Sequence, residues 1–302
     1  MRWLFLALAA CGQMDAVDEG LAGVVSGPEA PGAGWEQAPP PSGGNLQVSA
    51  AVPGNPLRLV SDGHPAGARV FFGRGGVGTT CPSTLGGQCL DLGRAALLGD
   101  GSASAAGRAR LELPVPGGLP LGRSTGMQAA NTTVGGTVVI SNRVEVRVEE
   151  ATCRAGLVQL VRNAAFELPL ATGEQRQAYG GRTLRRMTDP VTASQVIEVT
   201  GNEEVTWDLV PTPVATLASV DLWTWHDPTD AAIQSWTAFY ASGRSSTGLV
   251  INTTTGTGWE KLELLAQLDA TEELTGFQIW GYSGGGGAPD LTRYDDLMLC
   301  GR

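Results

Sequence analysis

The chain has 302 residues and a formal net charge of −10, from 20 Lys and Arg against 30 Asp and Glu. It carries no basic cluster to neutralise phosphates or to hold an anionic bilayer, which excludes nucleic acid and a polybasic membrane patch. Charged residues are only 17% of the chain, while hydrophobic residues reach 42% and glycine 43 residues. That composition suits packed cores under a surface of Ser, Thr, Asn, Gln and Gly, as in an all-β extracytoplasmic protein of about two domains.

Met1-Arg2 is followed by an apolar run at 3–10, of signal-peptide length and far too short to span a bilayer. The run ends Leu8-Ala9-Ala10-Cys11-Gly12, which resembles the lipobox of bacterial lipoproteins. The resemblance implies a signal peptide at 1–10 and acylation of Cys11. It also implies a place on the bacterial outer membrane or cell surface, with the lipid as the only membrane contact. Residues 12–44 have no Lys or Arg, and carry Asp15, Asp18, Glu19, Glu29 and Glu36 among Gly, Ala and Pro. Too little apolar surface exists there to offset ordering entropy, so 11–44 reads as a lipidated Cys and a flexible acidic linker.

From 45 to 150, short β-like runs alternate with turn clusters, at 57–60, 68–72, 109–113, 125–129, 136–140 and 144–148. This rhythm, without helical periodicity, predicts a β-sandwich of about seven strands. The pattern is similar to the Ig-like spacer modules of bacterial surface proteins. Cys81 and Cys89 close a small loop, read as a local disulfide in an oxidising compartment. The sequence Gly73-Arg-Gly75-Gly-Val-Gly78 matches G-x-G-x-x-G but runs on to Cys81-Pro82 and not into a helix, so it reads as a loop. His64 and His226 are each alone, which leaves no metal set with the cysteines.

From 151 to 302 the β rhythm continues, with runs at 157–161, 183–187, 195–199, 204–210, 219–225, 234–241, 248–252, 262–268, 274–280 and 294–299. In one of these, Leu262, Leu264, Ala266 and Leu268 alternate with Glu263 and Gln267, the period of a half-buried strand. Six of the eight tryptophans lie between Trp207 and Trp280.

Near the start of this half, Asn163-Ala-Ala-Phe166-Glu167 resembles the Asn-Gly-x-Phe-Glu motif of galactose-binding-like jelly rolls, among them several carbohydrate-binding module families. Ala164 departs from that pattern. Tyr294-Asp295-Asp296-Leu297-Met298-Leu299 resembles their final strand, and the aromatic-rich middle at 223–225 and 236–240 fits the same layout. The resemblance implies a jelly roll over 151–302 whose first and last strands adjoin, giving Cys153 and Cys300 a reason to pair; other pairings would cross domains. It implies a structural calcium held by Glu167 with Asp296, or Asp295. It also implies a ligand surface drawn from Trp223, Trp225, Trp236, Tyr240, Trp280 and Tyr282, with Gln278 as polar companion. The competing reading is that most of these rings fill the core.

Catalytic-looking motifs do not hold up. Gly281-Tyr-Ser283-Gly-Gly285 matches G-x-S-x-G, but a glycine run follows where a nucleophile elbow needs a helix, and no His follows His226. Adjacent Asp295 and Asp296 should point to opposite faces of a strand. The sequence therefore reads as a non-enzymatic, lipid-anchored surface protein. Its fold is all-β, an Ig-like sandwich and then a jelly roll that binds carbohydrate or another exposed polymer. The alternative is a structural or adhesive component with no sugar ligand.

Overall fold

A computed structural model of the chain describes residues 44–132, 137–166, 175–178, 185–188, 195–200, 203–226, 233–251, 259–282 and 291–302. Among these residues there is no α-helix, and the strands pack as two β-sandwiches in tandem.

The first sandwich has seven strands among the described residues. They are β1 (Asn45–Val48), β2 (Pro56–Asp62), β3 (Arg69–Gly76), β4 (Gly93–Ser102), β5 (Ala109–Pro114), β6 (Ser124–Thr132) and β7 (Val144–Arg147). One sheet has the order β1-β2-β5 and the other β4-β3-β6-β7. The fourth strand thus lies beside the third, whereas the constant-type immunoglobulin order places it beside the fifth. Leu46, Leu57, Leu59, Val70, Phe72 and Val146 meet between the sheets.

Three expectations change here. Of the strand expected at 136–140, the described residues 137–140 form none: Ile140 makes an isolated bridge to Ala130, and the Asn131 side-chain oxygen accepts the Val139 N–H at 2.9 Å. That side chain takes the place of a ladder bond. The glycine motif from Gly73 is strand as far as Gly76, paired with β4 through two register shifts. A Cβ on Gly75 would stand 2.7 Å from the Gly93 carbonyl oxygen, so the close approach of the strands explains that glycine. β4 itself was not expected. Its Leu97-Leu98 pair breaks the period of two, and the register shifts supply the reason. The Cys81–Cys89 disulfide is formed within the long β3–β4 connection.

The second sandwich opens with β8 (Val158–Gln159), β9 (Gln175–Ala178), β10 (Arg185–Thr188) and β11 (Gln195–Thr200). It continues with β12 (Glu203–Pro213), β13 (Leu217–His226), β14 (Ile233–Tyr240), β15 (Ser245–Ile251), β16 (Glu260–Glu263), β17 (Glu273–Tyr282) and β18 (Leu291–Gly301). One sheet has five strands in the order β15-β14-β17-β12-β9. The other has six, in the order β10-β11-β18-β13-β16 with β8 also on β18.

Trp236 and Phe277 stack in the core with centroids 6.1 Å apart, and Phe166 packs on Trp207 at 6.2 Å. The first and last strands do adjoin: Gln159 is the register partner of Cys300, and Cys153 and Cys300 are bonded. Their sequence separation of 147 corresponds to about 5 kcal/mol of stabilisation in the chain-entropy account.

The run at 262–268 is a correction. β16 stops at Glu263, and Leu265–Gln267 is a 3-10 turn. Leu264 and Leu268 flank that turn and are buried, while Ala266 within it is exposed, so the run does not keep one side to the core.

The two sandwiches meet along β2. Arg58, only 4% exposed, donates to Glu112 at 2.7 Å, to Thr212 Oγ1 at 3.3 Å and to the Arg302 carbonyl at 2.9 Å. Glu273 accepts from Arg108 at 2.6 Å and Arg110 at 3.1 Å. The Ala50 N–H donates to the Gln159 carbonyl, and the Gly156 N–H to the Asn55 side-chain oxygen, closing the seam. This is why β2 is buried on both faces: one faces its own core and the other faces the second sandwich.

Candidate functional site

Strand parity sorts the aromatic residues of the second sandwich. On β14, Trp236, Ala238 and Tyr240 are buried, while Thr237 and Phe239 are only half-buried. On β17, Phe277 and Ile279 point into the core and Gln278 lies between them on the other side. On β12, Val205 and Trp207 point inward, Thr206 is half-buried and Asp208 exposed.

Thr237, Gln278 and Thr206 take the outward side and line up in register across the five-stranded sheet. Thr247, Thr237, Gln278, Thr206 and Arg176 are successive register partners on β15, β14, β17, β12 and β9. The Thr237 and Thr247 hydroxyls are 3.1 Å apart, and Gln278 Nε2 donates to Thr206 Oγ1 at 3.1 Å. These bonds hold a row of hydroxyl and amide groups at fixed spacing on the sheet.

Aromatic positions bracket this row. On one side Phe239 is the register partner of Gly276. A Cβ on Gly276 would lie 3.2 Å from Phe239 Cδ2, so the ring lies against the glycine. Asp208, also opposite Gly276, adds a carboxylate. On the other side, Trp280 pairs in register with Ser235 and Glu204, and Tyr282 follows two residues later on the same strand. Phe239 and Trp280 are four residues apart in register, about 13 Å along the strands.

The other expected rings go elsewhere. Trp236 and Tyr240 lie in the core, with the Tyr240 hydroxyl donating to Ser246 Oγ at 2.8 Å. That removes both from the ligand surface, because they share the inward parity of β14. Trp223 and Trp225 are half-buried on β13, in the six-stranded sheet, on the opposite side of the sandwich from Gln278. The Arg293 guanidinium covers Trp225 at 4.5 Å from the ring and pairs with buried Glu198 at 3.2 Å. Trp223 stands in register between Lys261 and Asp295. Lys261 is held by Asp221 at 3.0 Å, and that hydrogen bond raises its pKa above the ordinary lysine value. Of the expected residues, Gln278 thus lies on one outer face, Trp223 and Trp225 on the other, and Trp236 and Tyr240 in the core.

Phe239 is the residue that sequence reasoning missed. Its signal was the parity of β14, since it alternates with Trp236 and Tyr240 and so takes the side they do not.

The acidic pair departs from simple alternation. Asp296 has a φ of 41° beside a register shift in the β13–β18 ladder, and its N–H donates to Asp295 Oδ1 at 2.9 Å. No group of three or more His, Cys, Asp or Glu placed to hold a metal occurs among the described residues. Glu167, Cys11 and Ser283 lie outside the described residues.

Fold and surface together define an all-β protein of two sandwiches, with a hydroxyl- and amide-lined face on the second. No protein-family model and no curated protein matches the sequence. Among solved structures, the chain is similar to TmCBM61 in complex with beta-1,4-galactotriose, at 14% identity over 46% of this chain and 96% of that one, TM-score 0.33. It is similar to the family 11 carbohydrate-binding module of the cellulosomal cellulase Lic26A-Cel5E of Clostridium thermocellum, at 12% identity over 46% and 92%, TM-score 0.31. A tetra-tandem repeat from the extending region of a large adhesion protein matches at 9% identity over 73% and 65%, TM-score 0.24. At these scores the likenesses assign no function to the chain.

Proposed function

We propose that the outer face of the five-stranded sheet binds carbohydrate or another hydroxyl-rich exposed polymer. The observation that carries this reading is the register row Thr247-Thr237-Gln278-Thr206, bracketed by Phe239 and Trp280. Sugar rings present apolar C–H faces and a rim of hydroxyls. An aromatic ring against a sheet offers a flat apolar partner, and Gln, Thr and Asp side chains offer donors and acceptors beside it. Cys11 anchors the chain by lipid, the acidic linker spaces it from the membrane, and the first sandwich acts as an Ig-like spacer. The clamp of Arg58, Arg108 and Arg110 on the second sandwich supports a fixed presentation of the face.

A glycan array probed with the full chain carrying Cys11→Ser tests the binding claim. The expected result is a restricted set of bound glycans, lost in Gln278→Ala and Trp280→Ala. Absence of binding to any glycan would favour the structural or adhesive reading. Cys11→Ser itself should release the chain from membranes; unchanged partitioning would overturn the anchor.

A calcium site also belongs to the proposal, with Glu167 and an Asp of the β18 bulge as ligands. The Leu297 N–H donates to the Ala164 carbonyl at 3.0 Å, which brings the bulge of Asp295 and Asp296 against the turn leading to residue 167. Carboxylate and carbonyl oxygens suit that hard cation. Chelator should lower the melting temperature by a few degrees through linkage; an unchanged transition would remove the ion.

A further inference from the structure

We infer that Cys81 and Cys89 form a thiol–disulfide exchange site whose reaction partner is an external dithiol. The two disulfides of the chain are built differently. Cys153 and Cys300 are both buried, and their bond joins segments 147 residues apart in the sequence. Cys81 and Cys89 are both exposed, and their bond spans a separation of 8. Exchange begins with attack of a thiolate on a sulfur, so it needs access. Of the two bonds, the exposed one offers it. More than the bond seats its loop. Leu85, Leu90 and Leu92 are buried and cluster with Ala130 of β6 and with Val138 and Ile140. The Asp91 N–H donates to Gln128 Oε1 at 2.8 Å, and Gln128 Nε2 donates to the Ser141 carbonyl at 2.8 Å. These contacts do not involve the sulfurs, so reduction leaves the loop docked and the sandwich folded.

The backbone also keeps the two cysteines together. Thr80 and Leu90 flank them and exchange two hydrogen bonds: the Thr80 N–H donates to the Leu90 carbonyl at 3.1 Å, and the Leu90 N–H to the Thr80 carbonyl at 2.8 Å. Thr80 Oγ1 donates to the Leu92 carbonyl at 2.6 Å. The reduced thiols therefore stay opposite each other at high effective concentration. A monothiol that attacks one sulfur makes a mixed disulfide, which the neighbouring cysteine reverses. A dithiol competes with that reversal. Its first thiolate attacks one sulfur, the Cys81–Cys89 bond breaks, and the other cysteine leaves as thiolate and takes up a proton. Its second thiolate then attacks the mixed disulfide and releases the remaining cysteine, which takes up the second proton. The chain gains two electrons and two protons, and the dithiol is oxidised to a disulfide. This site is independent of the carbohydrate reading, since it shares no residue and no sheet with that face.

The test treats the folded full chain carrying Cys11→Ser with dithiothreitol or with glutathione, traps free thiols with iodoacetamide and reads each cysteine by peptide mass. Dithiothreitol should open Cys81–Cys89 at least about a hundred-fold faster than Cys153–Cys300. The chain reduced at that one bond should keep its circular dichroism spectrum, and oxidised glutathione should close the bond again. Reduced glutathione should open the folded pair at least about ten-fold less than it opens the same pair in urea, where the Thr80–Leu90 bridge is lost. Equal rates at the two bonds would overturn the inference, as would unfolding of the selectively reduced chain. Equal opening by glutathione in the folded chain and in urea would remove the preference for a dithiol and overturn it as well.

Discussion

On the six-stranded sheet of the second sandwich, Trp225 lies under Arg293, and Arg293 is tied to a carboxylate that is almost wholly buried. On the five-stranded sheet, Phe239 lies against a glycine and its neighbours are hydroxyls and an amide. Both faces carry aromatic residues. The difference lies in what each ring already touches. A ring capped by a paired guanidinium serves packing, whereas a ring seated on backbone is open to an outside partner. Counting aromatics does not separate the two cases; strand parity and side-chain partners do.

The comparison can be broken at several levels. Replacing Cys153 and Cys300 by Ser should disturb both faces together, because the bond joins the two ends of the whole sandwich. A loss of about 5 kcal/mol is expected by denaturant titration. Arg293→Ala should cost about 3 kcal/mol by leaving Glu198 buried without that partner, while ligand binding per folded molecule stays unchanged. Gly248→Ala should cost about 1–3 kcal/mol through overpacking, since its Cβ would stand 2.4 Å from Trp236 Nε1 under the five-stranded sheet. A neutral result would mean that Trp236 is loosely held.

The smallest effect lies in the first sandwich and should leave both faces of the second untouched. His64 is 4% exposed, with Ser61 Oγ 2.7 Å from Nε2 and Asn131 Oδ1 3.1 Å from Nδ1. Burial pushes its pKa below the ordinary 6.5, against smaller upward effects of the Asn131 hydrogen bond and the Asp62 charge. The unfolded chain then binds the proton more readily than the folded one. The contribution is complete above the unfolded value and is lost as pH falls through the folded one. Melting temperature should drop between about pH 7.5 and about pH 5, and His64→Gln should flatten that slope. A slope that survives the substitution would assign it to carboxylates.

Much of the architecture was legible because period-two alternation is a local property of the chain. It gave most strands of both sandwiches and the all-β class, and cysteine spacing gave the short disulfide. The losses have physical causes. β4 hid behind its register shifts, and the run from Leu262 mimicked a strand because Leu264 and Leu268, buried on either side of a 3-10 turn, keep the even spacing of an alternating run. At the candidate site the sequence exposed Gln278 as partner to its strand, but it could not separate Trp236 from Phe239. Which parity of β14 faces inward depends on the sheet opposite, and three residues do not reveal it. Arg58 was equally silent, since its burial arises from contact between sandwiches that no local pattern records.

The central claim is that the five-stranded face, and not the six-stranded one, meets the ligand. Titration of a bound glycan by calorimetry into Phe239→Ala and Trp225→Ala, each checked for parental folding, tests it most directly. Phe239→Ala should weaken binding by about ten-fold or more, and Trp225→Ala should leave it within about two-fold. The reverse order would place the ligand on the six-stranded sheet and contradict the account.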